Sequence, residues 1–341
     1  MKHNLAFRSI KPQISNKCGS RTSATKSNFP PLERLSLHKL VIEPGCFREP
    51  HWHANADELA YCTKGSALVT MFVSGNQHIQ FTISAGEMFF IPSGQLHGIE
   101  STDPAGAEFI LTLSHEEPED FGLSGFTGCL TPAVLGNSWG LTAKEIDGIT
   151  RDPVDIDFGK LAGPVEIPLS ATFGNPYKFS IEAKAPLAAN SSGSAIVARR
   201  DVWPILRAQG MYSVRLTGTG MREPHWHPET AELGYVVEGK ARMTIQSPGG
   251  SADTYELSPG DIYFIPRAYP HHIENLTDGK MHFLIFFDSP DVQDIGLSGG
   301  VATFADRMLG PTLGLKPGQA AKIPRLPSDL LLVKKTNPVD R

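Results

Sequence analysis

The stretch EPHWHANADELAY, Glu49 to Tyr61, decides the fold, and it returns as EPHWHPETAELGY, Glu223 to Tyr235. Each copy has two histidines one residue apart and a glutamate five residues after the second: His51, His53 and Glu58, then His225, His227 and Glu232. On a β-strand, residues i and i+2 point to one face, so His-x-His aims two imidazoles into the same space. A glutamate beyond a short turn can come back on the neighbouring strand and join them. Each half then offers a fourth ligand: IPSGQLH ends at His97 and IPRAYPH ends at His271.

One offset relates the halves. His225 − His51 is 174, and His271 − His97 is also 174. The same shift carries Gly65 onto Gly239, Gly86 onto Gly260, Pro92 onto Pro266, and FGLSG (Phe121 to Gly125) onto IGLSG (Ile295 to Gly299). Backwards, it carries Pro12 onto Pro186, and the register runs without a gap to about Leu141. A period this long, seen twice, is a duplicated whole domain and not a solenoid of short units. The polar, Ser- and Lys-rich opening stretch, 1–26, therefore reads as the opening arm of domain 1. The expected boundaries are 1–150 for domain 1, 151–176 for a Pro-, Gly- and Asp-rich linker, and 177–341 for domain 2 with a tail from about Pro317.

At 341 residues, two domains of ordinary size are the natural division. The formal net charge of -5 is spread among both signs, and no basic run suggests nucleic acid. No apolar run reaches membrane-spanning length, and the start carries no uninterrupted apolar core of a secretory signal. Gly 33 and Pro 27 suit many short strands joined by tight turns. Leu35–Ile42, Leu59–Cys62, Ala67–Val73, His78–Ile83, Met88–Ile91 and Glu108–Leu113 read as such strands, with short helices at Thr131–Trp139 and Thr142–Ile146. The four cysteines, Cys18, Cys46, Cys62 and Cys129, form no C-x-x-C pair and no disulfide framework, so a reducing cytoplasm is the expected location. The fold class expected is all-β, each half an antiparallel sandwich or closed barrel.

At these motifs the sequence resembles the bicupins, and among them the oxalate decarboxylase group. The first cupin motif reads Gly45, His51, His53, Glu58, Gly65, and the second Gly86, Pro92, Gly94, His97, with Ser101 where asparagine is usual. In the second half the positions are Thr219, His225, His227, Glu232, Gly239, then Gly260, Pro266, Ala268, His271, Asn275. R-E-x-H-W-H at Arg48 to His53 and Arg222 to His227, with ARMTI (Ala241 to Ile245) and HIEN (His272 to Asn275), resembles the narrower group. The resemblance implies two tandem cupin jelly-roll barrels with short helical segments, and copies of the same chain as partners in a homo-oligomer. It implies Mn(II), one per domain, with dioxygen as redox cofactor, and a small dicarboxylate substrate.

In that family an arginine three residues before the first histidine holds the substrate carboxylate, which by position is Arg48, and Arg222 in the second half. A lid glutamate handles the proton, and its place falls on Asp120, with Glu119 a second candidate. The family's route removes an electron and a proton from oxalate before carbon dioxide leaves, and the same acid then returns a proton to give formate. A missing or misplaced acid gives the oxidase outcome. Three imidazoles and one carboxylate with open positions suit Mn(II) or Fe(II) better than zinc, and the residues alone do not separate the two. A planar guanidinium can grip a carboxylate through two parallel hydrogen bonds. Two rival readings are an oxygenase or isomerase acting on another small carboxylate and a non-catalytic metal-holding or storage bicupin. Domain 1 is favoured as catalytic, because four carboxylates (Glu116, Glu117, Glu119, Asp120) follow its last strand. Trp52 and Trp226 read as core packing, His272 as structural, and His38, His78, His115 and His282 as histidines without a constellation.

Overall fold

The computed structural model describes residues 2–142 and 144–337. The chain divides into two compact units, Ile10–Ser180 and Ile181 onward, the latter joined by the opening stretch through Ser9. Each is a curled antiparallel β-structure.

In the first unit, Glu58–Val73 is the hub. It pairs with Ala107–Leu113 and Met88–Ile91 through its first half, and with Gln77–Ser84 and Leu96–Ser101 through its second. Its first half, Glu58 to Cys62, is buried on both faces, and only its second half alternates, with Val69, Met71 and Val73 buried while Thr70 and Phe72 look outward. Leu40, Ile42, Ala60, Val69, Phe81, Phe89, Phe109 and Leu111 fill the interior. The second unit repeats the plan with Glu232–Glu238 and Ala241–Gln246 as separate strands, around Val214, Val236, Met243, Tyr263, Phe283 and Ile285. Gly65 and Gly239 hold the left-handed backbone at the bend, at φ +72° and +85°. Ala268 stands at φ 62° where the first half has Gly94 at φ 74°, so the missing glycine leaves the turn intact but strained.

The units divide the chain elsewhere than the expected boundaries. Asn4–Leu5 pairs with Ile262–Tyr263, which places the start of the opening arm in the second unit. The rest of the arm forms a hairpin, Ile14–Asn16 with Gly19–Ala24, whose second strand lies beside Ser36–Ile42. The stretch expected as a linker is built into the first unit. Phe158–Lys160 pairs with Cys46–Arg48, and 174 residues later Leu332–Lys334 pairs with Gly220–Arg222. The duplication thus runs past Leu141 into both segments. They have too few strand formers for their pairing to show in the sequence.

The helix expected from Thr131 is present as Pro132–Trp139, with the Thr131 hydroxyl accepting from the Val134 amide. The one expected at Thr142–Ile146 is not formed over its described residues: Lys144–Gly148 is a series of turns, and Ala143 lies outside the described residues. Trp52 is only partly buried; it stacks on Phe121, ring centroids 5.4 Å apart, and meets Phe126 edge-on, outside the barrel core. Cys46 and Cys62 are buried and all four cysteines are free. Among the described residues no helix is long and apolar enough to cross a membrane.

Candidate metal centres

The strand Cys46–His53 carries Arg48, His51 and His53, and its burial pattern changes phase midway. Cys46 and Arg48 face inward, then Glu49, His51 and His53 do. The ladder to Leu96–Ser101 shifts register between Arg48 and His51, a bulge at which Pro50 costs no ladder hydrogen bond. Gly220–Trp226 does the same around Pro224. The bulge brings an arginine and two histidines of opposite parity into one interior.

His97 lies directly opposite His51, and Glu58 begins the next strand. The ligand atoms of His51, His53, Glu58 and His97 all lie within 4.8 Å of one another, and so do those of His225, His227, Glu232 and His271. All eight residues are buried. Ring centroids are 4.1 Å apart for His51–His97 and for His225–His271, so the two sets are near copies. Each imidazole is oriented through Nδ1, which leaves Nε2 facing the centre. His51 donates to the Glu49 carbonyl at 2.7 Å and His97 to the Gln95 carbonyl at 3.0 Å; His225 and His271 do the same to Glu223 and Tyr269.

These residues fit a divalent cation. His97 Nε2 and Glu58 Oε1 are buried at the first centre with no hydrogen-bond partner, a costly arrangement that a shared cation relieves. Nitrogen and oxygen donors without sulfur suit Mn(II) or Fe(II). Burial holds the His51 and His225 imidazoles well below their usual range. Burial also pulls on His53, but the Asp120 and Glu58 carboxylates beside it raise it to about 9. Despite its burial, Glu58 is held below the usual carboxylate range by His53 and His97.

The third imidazole distinguishes the centres. His53 Nδ1 meets the Asp120 carboxylate at 2.5 Å, and Asp120 is also ion-paired with Arg21. His227 Nδ1 instead donates to the Gln293 carbonyl at 3.0 Å, with Asp294 at 3.5 Å. Asp294 pairs with Arg222. Arg48, almost fully buried, donates to the Asp157 carbonyl at 3.1 Å and faces its carboxylate at 3.2 Å. Arg222 has the matching carbonyl, Leu331 at 3.1 Å, but no carboxylate there. Glu232 accepts from the Tyr263 hydroxyl at 2.7 Å, whereas Phe89 occupies that place beside Glu58.

The first centre opens into a cavity of about 20 Å³ lined by Arg21, His38, Arg48 and apolar Leu40, Ile99, Leu111 and Leu113. The second has about 10 Å³, walled by Tyr212, Phe287 and Arg222. Phe287 packs against His227 at 4.8 Å between centroids. Arg48 and Arg222 thus reach their centres, and Asp120 reaches a ligand. Glu119 does not line the cavity: it is exposed, and its amide donates to Asn55. Glu116 and Glu117 receive backbone amides of Arg34 and Ser27.

Sequence reasoning missed Arg21 and His38. Arg21 sat in a polar arm, and His38 was read as a histidine without a constellation. The alternation of Ser36–Ile42 carried the only signal, since it puts His38 on the inward face with Leu40 and Ile42. Asp155 and Asp329 were also missed. They accept the amides of Gly122 and Gly125, and of Gly296 and Gly299, at 2.7–3.1 Å.

Known proteins align with both halves. The cupin family model matches residues 5–147 and 179–317. Oxalate decarboxylase OxdC of Bacillus subtilis is 28% identical over 306 residues, covering 88% of this chain and 79% of that one. An oxalate decarboxylase of Arthroderma benhamiae is 25% identical over 312 residues, covering 81% and 72%. A solved structure of the Bacillus subtilis oxalate decarboxylase at pH 4.6 superposes with a TM-score of 0.87 at 25% identity, over 98% of this chain and 88% of that one. Another structure of that enzyme, from work on its Mn(II) centres, gives the same score with 89% coverage.

Proposed function

The chain belongs to the cupin family, with one cupin domain in each half, and from that premise we propose that it is a manganese-dependent oxalate decarboxylase, giving formate and carbon dioxide at the first centre. The observation that carries this reading is the convergence of four buried ligands on one point, three of which line a small cavity together with a buried arginine. Its similarity to oxalate decarboxylases over most of its length supports the substrate class.

Mn(II), with dioxygen, would supply a Lewis-acidic cation and a one-electron acceptor, and Fe(II) fits the same donors. His51, His53, Glu58 and His97 would hold it at the first centre, and His225, His227, Glu232 and His271 at the second. Arg48 would bind a substrate carboxylate. Its guanidinium is immobilised by Asp157, so little freedom is lost on binding. The buried walls exclude bulk water, which strengthens that charge interaction. Arg222 would do likewise in the smaller second cavity, which we take to be a metal site with little or no turnover.

Asp120 is held below the usual carboxylate range by His53 and Arg21 despite its burial. It suits the task of orienting His53, and as a proton carrier it would have to leave both partners. Among the described residues lining the cavity, Glu58 is the sole carboxylate, and it is a ligand. That observation favours a second reading, the oxidase, in which no acid returns a proton to the product. We further take the enzyme to be a cytoplasmic homo-oligomer, as the resemblance implies, which fractionation and light scattering check. The deciding experiment incubates Mn-loaded protein with oxalate and assays formate and hydrogen peroxide together. Formate supports the decarboxylase, peroxide without formate the oxidase, and neither product would remove both. Asp120→Ala and Glu119→Gln assign the proton carrier.

A further inference from the structure

Two buried side-chain nitrogens at the first centre have nothing to bind. Arg21 Nε and His38 Nε2 both lack a hydrogen-bond partner, and both residues line the first cavity. The remainder of each side chain is fixed. Arg21 is ion-paired through Nη1 with Asp120, and His38 Nδ1 lies 3.1 Å from the Ser23 hydroxyl. Their strands explain why they meet. Arg21 pairs with Leu40 and Ser23 with His38, so Arg21 and His38 are diagonal neighbours on one face of the sheet.

We infer that Arg21 and His38 form a second anion subsite at the first centre, which takes the distal carboxylate of a two-carbon dicarboxylate whose near carboxylate sits at the metal. This rests on the oxalate reading above and names the residues that select a second carboxylate. When the Ser23 hydroxyl donates to Nδ1, His38 presents an Nε2–H to the cavity. Together with the Arg21 Nε–H, it offers two donors to two oxygens, one of them charged. Burial, and then the charge of Arg21, push His38 down to about 3, so the imidazole enters the subsite neutral and remains a donor at acid pH. The other walls, Leu40, Leu111 and Leu113, give a longer or hydroxylated acid no partner. The cavity is small, about 20 Å³, so an acid longer than two carbons would have to displace its walls.

The second centre has no counterpart. The positions 174 residues on are Ala195 and Tyr212, and the Tyr212 hydroxyl is spent on Asp294 at 3.4 Å. The subsite therefore also accounts for one barrel, and not both, acting on a dicarboxylate.

The test is calorimetric titration of Mn-loaded protein under argon with oxalate, and separately with acetate, which has one carboxylate. Mn content and the Mn(II) EPR spectrum are recorded for every variant. His38→Phe and Arg21→Lys are expected to weaken oxalate at least tenfold, with acetate affinity and Mn content unchanged. His38→Gln keeps an amide donor and retains most of the affinity. Arg21→Lys preserves the charge beside Asp120, so it remains informative where His38→Phe does not fold. Wild-type affinity for oxalate in His38→Phe or Arg21→Lys overturns the subsite, as does an equal loss for oxalate and acetate. Wild-type protein that binds neither acid overturns the subsite and the oxalate reading together. Selective loss of oxalate binding, in a protein that turns none over, supports the subsite and overturns decarboxylation alone.

Discussion

Arg48 and His51 are three residues apart on one strand, a spacing that would place them on opposite faces of a regular strand, yet both line the first cavity. The bulge at Pro50 makes the difference. Arg48 is held there by the Asp157 carbonyl and carboxylate, and Asp157 keeps a left-handed backbone, φ 55°, to present them. Arg48→Met should abolish oxalate turnover while the protein keeps its Mn. It should also lose about 3 kcal/mol in stability, because Asp157 and Glu49 are left without their counter-charge. Denaturant titration and elemental analysis read these separately, and normal turnover in Arg48→Met would exclude Arg48 from the substrate site.

Asp120 fixes His53 through Nδ1 at 2.5 Å, whereas its counterpart Asp294 stands 3.5 Å from His227. A carboxylate behind a ligating imidazole typically contributes 10–100-fold to metal affinity. Asp120→Asn should therefore weaken Mn(II) at the first centre by about tenfold or more, and Asp294→Asn should affect the second far less. Competition with a chelator, counted as Mn retained per chain, measures both. Equal losses would show that the distance difference has no consequence for the metal.

The eight ligands were legible because two simple periodicities carry them: H-x-H on a strand, and one constant offset of 174. Arg48 was legible only through resemblance, since strand parity alone points it away from His51. Arg21, His38 and Asp157 were hidden for a different reason. Each reaches the first centre from a segment with its own weak signal, and pairing across the sheet, which a one-dimensional pattern does not reveal, brings them in. The duplicated strands Phe158–Lys160 and Leu332–Lys334 were hidden likewise, since three residues define no period.

Tyr263 and Gly234 are a matched pair. A Cβ built on Gly234 would overlap the Tyr263 ring, and the first half has Ala60 with Phe89 at the same places. Without the hydroxyl bonded to Glu232 at 2.7 Å, the second centre should come to resemble the first. Tyr263→Phe is expected to shift the Mn(II) EPR signal of the second centre toward that of the first. Gly234→Ala should cost about 1–3 kcal/mol through overpacking and displace the hydroxyl. An unchanged spectrum in Tyr263→Phe would mean that the hydroxyl does not tune the metal.

FGLSG and IGLSG recur because two of their glycine amides converge on Asp155 or Asp329, and side chains at Gly122, Gly125, Gly296 or Gly299 would crowd that carboxylate. Asp155→Ala leaves both amides unpaired at the start of Leu123–Gly128, where the N-cap residue, Gly122, has no side chain of its own to replace it. A loss of about 1–2 kcal/mol is expected, with faster hydrogen exchange at Gly122 and Gly125. Unaltered exchange there would remove Asp155 from the motif.

His38 adds to the pH response of the first barrel, beside His51, whose imidazole is also held well below its usual range. Its imidazole is neutral in the fold, pushed down to about 3 by burial and then by the Arg21 charge, against an ordinary value of 6.5. Between those values the unfolded chain binds a proton that the folded chain refuses. Stability contributed at this position is thus present above about pH 6.5 and is lost as the pH falls toward about 3. Between pH 7 and pH 4.5 the loss should be about 2–3 kcal/mol, two pH units at 1.36 kcal/mol each. His38→Phe removes the titrating group, so its stability should fall less than the wild type's over that interval, by about that amount. Denaturant midpoints of Mn-loaded wild type and variant at the two pH values give the comparison. Parallel losses would mean that His38 is protonated in the folded barrel, and with it the neutral donor assigned to the subsite would be lost.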